Sequence, residues 1–326
     1  MTHAEVLALK GASVGPPRAD LALIVDRARD YAQAAQADNT RRAYRVGWND
    51  FSAYCHDNGF NTLPASPQSV GLYVTALAAR AKVATIRLYL AAIAEKHREA
   101  GLDSPTAHEV VRRIVRGIAR TNGASQTRKS AVTLDHLRAI LLEVGGDDLK
   151  AKRDRAMILL GFAAALRRSE LAALRIEDLR FEKRGLIVMI RRSKTDQEAK
   201  GVEIAVPFVA HRSLCAAGAV KAWIEASSIT AGPLFRPFSL HVQMLDKPID
   251  GRDVANLVKR LTSKARLDGD FSGHSLRAGF ATSAASAKAS LDAIARTTRH
   301  KSLAVLMSYV RPAQAFDDVA LTSMIT

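Results

Sequence analysis

The chain has 326 residues, 48 Lys and Arg against 32 Asp and Glu, and a formal net charge of +16. That length can bury two modest cores, so two domains are expected, and a cationic surplus spread along the chain points to a polyanionic partner, nucleic acid first. Cys55 and Cys215 stand far apart in no CxxC or Cys/His cluster, no apolar run nears the roughly 18 residues of a membrane span, and the N-terminus lacks a basic-then-apolar leader, so a soluble cytoplasmic protein with no disulfide framework, zinc site or membrane partner is expected.

Residues 1–19 hold Gly11, Gly15, Pro16 and Pro17 without sustained periodicity and read as a loose arm. Helical pattern begins after Asp20. From Asn39 or Thr40, Tyr44, Trp48 and Phe51 fall on one helix face and Arg41, Arg42 and Arg45 on the other. Ser66-Pro67 forms a cap and first-turn pair ahead of Val70, Tyr73, Val74 and Leu77. A third helix carries Ile86, Leu90 and Ile93 and ends near Gly101, and a fourth, from about Thr106, sets Val110, Val111, Ile114 and Ile118 against Arg112, Arg113, Arg116 and Arg120. Residues 20–120 thus read as a helical bundle with basic outer faces.

The polar stretch 121–131, TNGASQTRKSA, has no apolar periodicity and reads as a linker. The remainder, 132–326, opens with helices around 133–144 and 152–165. Gly185–Arg191 and Gly201–Val206 then read as two strands of a hairpin, and helical pattern returns to the end. The fold expected is mainly α: a helical bundle, then a mixed α+β domain with a small antiparallel sheet and a tail over 312–326. No internal repeat is present.

Cutting a DNA strand without a metal needs cations to neutralise phosphoryl oxygens, an in-line nucleophile and an acid for the leaving oxygen. Arginine suits the first task, because its planar fork can give two parallel hydrogen bonds to a phosphate and keeps its charge. The second half offers Arg167 with Glu170, Lys194 between the two strands, His274 with Arg277, and His300 followed by Tyr309. Each has a plainer explanation. Arg167 and Glu170 could be a surface ion pair at helical spacing, and His274 and Arg277 share a helix face as many solvated pairs do. Lys194 could simply face solvent, and His300 could cap a helix end. Tyr309 is the only tyrosine after the linker, at the edge of an apolar strip of Leu303, Leu306, Met307 and Val310. That edge position suits either a hydroxyl facing a cleft or a partly buried structural tyrosine.

In order and context these pieces resemble the tyrosine recombinase (phage integrase) family, which includes Cre-like and Xer-like enzymes. AALRRSELAAL resembles the family's first arginine box, RRSKTDQEAKGVEIAVP its lysine-bearing hairpin, and HSLRAGFAT with RHKSLAVLMSYVRP its second box. The likeness covers about 132–312. It extends to NTRRAYRVGWNDFSAYC through VRRIVRGIAR, which look like the family's core-binding domain.

The resemblance implies a two-domain clamp on double-stranded DNA at a specific recombination site, with self-association into a tetramer and no cofactor. It implies that Arg167 and Arg277 clamp the scissile phosphate, that His274 and His300 contact its non-bridging oxygens, and that His274 is a candidate proton acceptor. Lys194 would protonate the departing 5′ oxygen, with Lys200 a rival. Tyr309 would form a 3′-phosphotyrosine, with Glu170 orienting the cleft. Arg41, Arg42, Arg45, Arg112, Arg113, Arg116 and Arg120 would meet phosphates, and Thr85 and Arg87 would read bases. Many relatives carry Gly where this chain has Arg299, which puts the turn before His300 in question. Two other activities share the pattern: DNA relaxation of the type IB topoisomerase kind, and non-catalytic DNA-binding regulation on the same fold.

Overall fold

The computed structural model describes residues 19–34, 38–123, 129–191, 201–300 and 302–313. Residues 1–18 of the expected arm, the tail after 313, and both Lys194 and Lys200 lie outside the described residues. The chain divides into two compact units, Met1–Thr127 and Arg128–Thr326.

In the first unit, α1 spans Ala19–Ala34, α2 Asp38–Asp57, α3 Pro67–Leu77, α4 Val83–Glu99 and α5 Glu109–Thr121, with a 3-10 turn at Pro105–Ala107. The start of α3 follows its sequence: Ser66 Oγ accepts the Ser69 amide at 3.0 Å, and Pro67 fills the first turn, where a missing N–H is harmless. Phe51, Tyr73, Val74, Ile86, Ile93 and Val111 belong to one apolar core. Tyr73 meets the edge of Phe51 with ring centroids 5.1 Å apart, and its hydroxyl donates to Asp50 at 2.7 Å. Arg80 donates to both oxygens of that carboxylate, at 2.7 and 2.9 Å, which fastens α2 to the end of α3. His97 is buried and structural, its Nε2 accepting the Ala65 amide at 2.9 Å while Nδ1 donates to the Ile93 carbonyl at 2.8 Å. One residue departs from the expected pattern. Val110 is exposed, and it is Val111, with Ile114 and Ile118, that turns α5 toward the core.

The second unit holds α6 (Leu134–Val144), α7 (Leu149–Ala163), α8 (Arg168–Ala173), α9 (Ala216–Ser227), α10 (Gly251–Lys264), α11 (Ser275–Ser286), α12 (Leu291–Thr298) and α13 (Leu303–Ala313). Three strands, β1 (Leu179–Glu182), β2 (Gly185–Ile190) and β3 (Val202–Pro207), form an antiparallel sheet in that order. The expected hairpin is β2 with β3, in a register that sets Gly185 opposite Pro207 and Ile190 opposite Val202. The added strand, β1, is only four residues long and pairs with β2 across a tight turn. Helix α7 is apolar on all sides at Met157, Ile158, Leu159 and Leu160, because it packs on both α9 and α11.

The stretch 121–131 is not linker throughout. Thr121 closes α5, and at the other end Ser130 donates from its amide to the Asp270 carbonyl at 2.9 Å, while the Asp270 amide donates to Ser130 Oγ at 3.1 Å. Val132 follows, its amide 2.9 Å from the Ser275 carbonyl. It runs so close to α11 that a Cβ on Gly279 would fall 1.7 Å from the Val132 carbonyl oxygen. Among the described residues no helix is long and apolar enough to cross a membrane.

Candidate active site

The site grows from the end of α7. Ala165 leaves that helix in a left-handed conformation, φ 46°, which turns its carbonyl inward and lets Leu166 close back on Gly161 at 3.0 Å. Arg167 then caps α8. Glu170, at the third helical position, accepts the Arg167 amide on Oε2 at 2.8 Å and the Arg167 guanidinium on Oε1 at 2.6 Å. The ion pair expected from Arg-x-x-Glu is therefore real but not a surface feature, since the two side chains are 13% and 2% exposed.

His274 sits exposed just before α11, and Arg277 lies one turn into that helix, 2% exposed. Arg277 Nη1 donates to the Ala165 carbonyl at 2.9 Å, while its Nη2 is buried with no partner among the described residues. Burial, with Arg167 and Arg299 adding to it, pulls the Arg277 guanidinium down to about 9 against the pull of Glu170 and Tyr309. It stays cationic at neutral pH.

Helix α12 ends at Thr298. Arg299 follows at φ 55°, so the turn does take the left-handed form that favours glycine. Its guanidinium donates through Nη2 to Glu170 Oε2 at 2.9 Å and to the Ala165 carbonyl at 3.2 Å. His300 comes next, with Nδ1 2.9 Å from Thr298 Oγ1. The Thr298 hydroxyl hydrogen is already given to the Ile294 carbonyl at 2.7 Å, so Nδ1 carries the hydrogen and Nε2 the lone pair. Burial first, then the charges of Arg277, Arg167, His274 and Arg299, push His300 down to about 4, and the ring is neutral at neutral pH.

Tyr309, in α13, stacks on His300 with ring centroids 5.8 Å apart and planes 25° from parallel. It is half-buried beside Leu306 and Val310, whose packing on Ala281, Ala285 and Ile294 fixes the helix. Leu303, expected in that apolar strip, is instead exposed, because it opens the helix before the packed turns begin.

Arg167, Glu170, His274, Arg277, His300 and Tyr309 are thus brought together from separate elements, each within the electrostatic reach of others in the group. Lys194 belongs to the segment joining β2 to β3 and lies outside the described residues. Sequence reasoning missed the Ala165 carbonyl, a backbone acceptor with no side-chain signature, and it noted Arg299 as a departure without giving it a place. It also passed over Arg168. The stem of Arg168 lies so near α10 and the loop before α11 that a Cβ on Gly273 would be 2.8 Å from its own Cβ, and one on Gly251 3.3 Å from its Cγ. The Arg168 side chain is exposed next to Arg167.

In the first unit, Arg42, Arg87, Arg112, Arg113 and Arg120 are exposed, Thr85 is half-buried, and Arg116 is exposed but paired with Glu109. Arg41 and Arg45 line a groove of about 340 Å³ between α2 and α4 together with Tyr44, Trp48, Glu95, Lys96 and Glu99, in which Glu99 pairs with Lys96 and Glu95 with Arg98. Among the described residues no three His, Cys, Asp or Glu side chains gather in a way that could hold a metal ion.

The chain is 37% identical over 302 residues to an integrase/recombinase xerD homolog of Selenomonas ruminantium, covering 91% of this chain and 89% of that one. It is 26% identical over 312 residues to recombinase cre of Escherichia phage P1, covering 88% of each. A crystal structure of lambda integrase residues 75–356, a dimer bound to a COC′ core site, shares the fold with a TM-score of 0.59 at 18% identity, over 88% of this chain and 93% of that one. Residues 130–315 match the model of the phage integrase family, and together with the 37% identity along almost the whole chain this establishes that the protein belongs to the phage integrase family of tyrosine recombinases.

Proposed function

We propose that this chain is a site-specific DNA recombinase in which Tyr309 is the nucleophile and Arg167 and Arg277 hold the scissile phosphate. The observation that carries the reading is the convergence of two guanidiniums, Arg277 buried and Arg167 partly so, each pinned by an acceptor, with Tyr309 stacked on His300 beside them. Two fixed cations in a poorly solvated pocket suit a phosphorane-like transition state, whose equatorial oxygens gain negative charge as the fifth bond forms. The phenol oxygen of Tyr309 bonds to phosphorus as the bond from phosphorus to the 5′ oxygen breaks. The product is a 3′-phosphotyrosine and a free 5′ hydroxyl. One phosphodiester replaces another, so rejoining is the reverse step and needs no external energy.

The phenol proton must leave and the 5′ oxygen must gain one. In this reading His274 accepts the first, and Lys194, by its place in the sequence between β2 and β3, supplies the second. Nε2 of neutral His300 can accept a hydrogen bond but not give one. It contacts a non-bridging oxygen as a donor only once the phosphate's charge has raised its affinity for a proton. Glu170 orients Arg167 and does not react.

The exposed arginines of α2 and α5 supply phosphate contacts, and Thr85 and Arg87 of α4 read base edges at the recombination site. Exchange between two duplexes cuts four strands. With one nucleophile in each chain it needs four copies on the DNA. The protein works in the cytoplasm, where its DNA lies.

The test begins by selecting bound duplexes from a random-sequence pool with the wild-type chain and rebuilding the selected site as a nicked suicide substrate. Wild type should form a covalent adduct on denaturing gels, and Tyr309→Phe should form none while shifting the duplex normally. An adduct persisting in Tyr309→Phe removes Tyr309 from the chemistry.

A further inference from the structure

A guanidinium stands where the backbone favours glycine. Arg299 has φ 55° and ψ 42°, a conformation that residues with a Cβ rarely adopt, and its side chain is only 8% exposed. Glycine would close α12 without strain, and an apolar residue would fill the space without burying a charge. Neither could make the contacts that Arg299 makes.

Those contacts form a cross-brace. Glu170 receives Arg167 on Oε1 and Arg299 on Oε2. The Ala165 carbonyl receives Arg277 at 2.9 Å and Arg299 at 3.2 Å. Arg167 and Arg277 are both donors and both cations, so they repel and cannot bond to one another. Their common tie is Arg299, which grips the acceptor of each with the same Nη2.

We infer that Arg299 is a positioning residue for strand cleavage: by bridging the Glu170 carboxylate and the Ala165 carbonyl it holds the forks of Arg167 and Arg277 in one fixed relation. The inference rests on the recombinase reading above. Three guanidiniums around one carboxylate also leave the pocket with a net positive charge. The buried Nε and Nη1 of Arg299 have no partner among the described residues, so this charge is poorly neutralised within the protein. Such a pocket is built for an anion that arrives with the substrate, and the brace sets where that anion meets the two forks.

The test uses Arg299→Gly and Arg299→Asn, two residues that tolerate a positive φ, in the full chain with the selected nicked duplex. Melting temperatures should stay within about 4 °C of wild type, because backbone strain is released as the contacts are lost. DNA binding should be retained, while single-turnover cleavage at saturating duplex falls at least about tenfold, the scale expected when reacting groups lose alignment. Arg299→Lys, which keeps the charge but not the fork, should not restore the rate. In a double-mutant cycle, Arg299→Gly on top of Glu170→Gln should add little to the slower single change.

Wild-type rates in both the glycine and asparagine variants overturn the inference. So do losses that multiply in the cycle, and so does full rescue by lysine. A collapse of melting temperature in both variants assigns Arg299 to the fold instead. The wild-type control separates the two levels: no adduct from wild type defeats the recombinase reading, whereas equal adducts from wild type and Arg299→Gly defeat only the brace.

Discussion

Arg277 donates to the carbonyl of Ala165 across 112 positions of sequence, and Ala165 offers that carbonyl from a left-handed backbone. The turn after α7 and Arg277 are thus one unit. A β-branched residue tolerates that backbone far less well than alanine. Ala165→Val should therefore cost about 2 kcal/mol in a denaturant titration and slow cleavage beyond what stability explains. Unchanged stability would mean that the turn can flip without consequence, and Arg277 would need another anchor.

If Arg167 and Arg277 clamp the phosphate as proposed, the fork matters as well as the charge. Arg167→Ala and Arg277→Ala should each lower single-turnover cleavage at least about a hundredfold, the scale seen when one transition-state donor is removed. The lysine variants should recover little, since one ammonium cannot reproduce two parallel bonds or reach both the buried acceptor and the phosphate. Near-normal turnover in Arg277→Lys would argue against a two-pronged role.

The His300 ring makes acid tolerance measurable. Its pKa falls from an ordinary 6.5 to about 4 in the fold, so the unfolded chain takes up a proton first as pH drops. The stabilisation linked to His300 is fully present above about pH 6.5 and is lost as pH falls toward 4. Melting temperature should drop more steeply over that window in wild type than in His300→Gln. Parallel curves would place the ring in water.

Lys194 and Lys200 can be separated by chemistry alone. A substrate whose 5′ leaving oxygen is replaced by sulfur departs as a thiolate without an acid, so it should restore cleavage to Lys194→Ala. Lys200→Ala should need no such help. Rescue that follows Lys200 would move the acid six residues along the same segment.

The close pass of Val132 over Gly279 leaves no room for a methyl group. Gly279→Ala should destabilise the second unit by about 1–3 kcal/mol, as overpacking does, and should slow cleavage because the displaced helix carries Arg277. Thermal melting and single-turnover assays on one sample would show whether the two effects move together.

Much of this was legible in the residues. The helices of the first unit announced themselves through apolar spacing and through the Ser66-Pro67 start, and the β2–β3 hairpin through its change of period. Strand β1 was not, because four residues of Leu-Arg-Phe-Glu give too short an alternation to outweigh a loop. At the site, the side chains that converge could be picked out by type and order, but the groups that hold them could not. The Ala165 carbonyl has no residue signature. The role of Arg299 depends on a backbone angle and on contacts 129 and 134 positions away. Val110 and Leu303 were misplaced for a common reason: each lies at the margin of an apolar stripe, where spacing alone cannot tell which flank a neighbouring helix covers.

The pairing of Ser130 with Asp270 and of Val132 with Ser275 also determines where this chain can be cut into working pieces. A fragment begun at Leu134, the first residue of α6, would keep every helix of the second unit yet strip the lining segment 129–133 from the helix that bears Arg277. Ser275 and Asp270 would lose backbone partners, and the Gly279 notch would open to water. An isolated second unit should therefore begin at or before Arg128, and one begun at Leu134 should be the more readily cleaved by protease along α11.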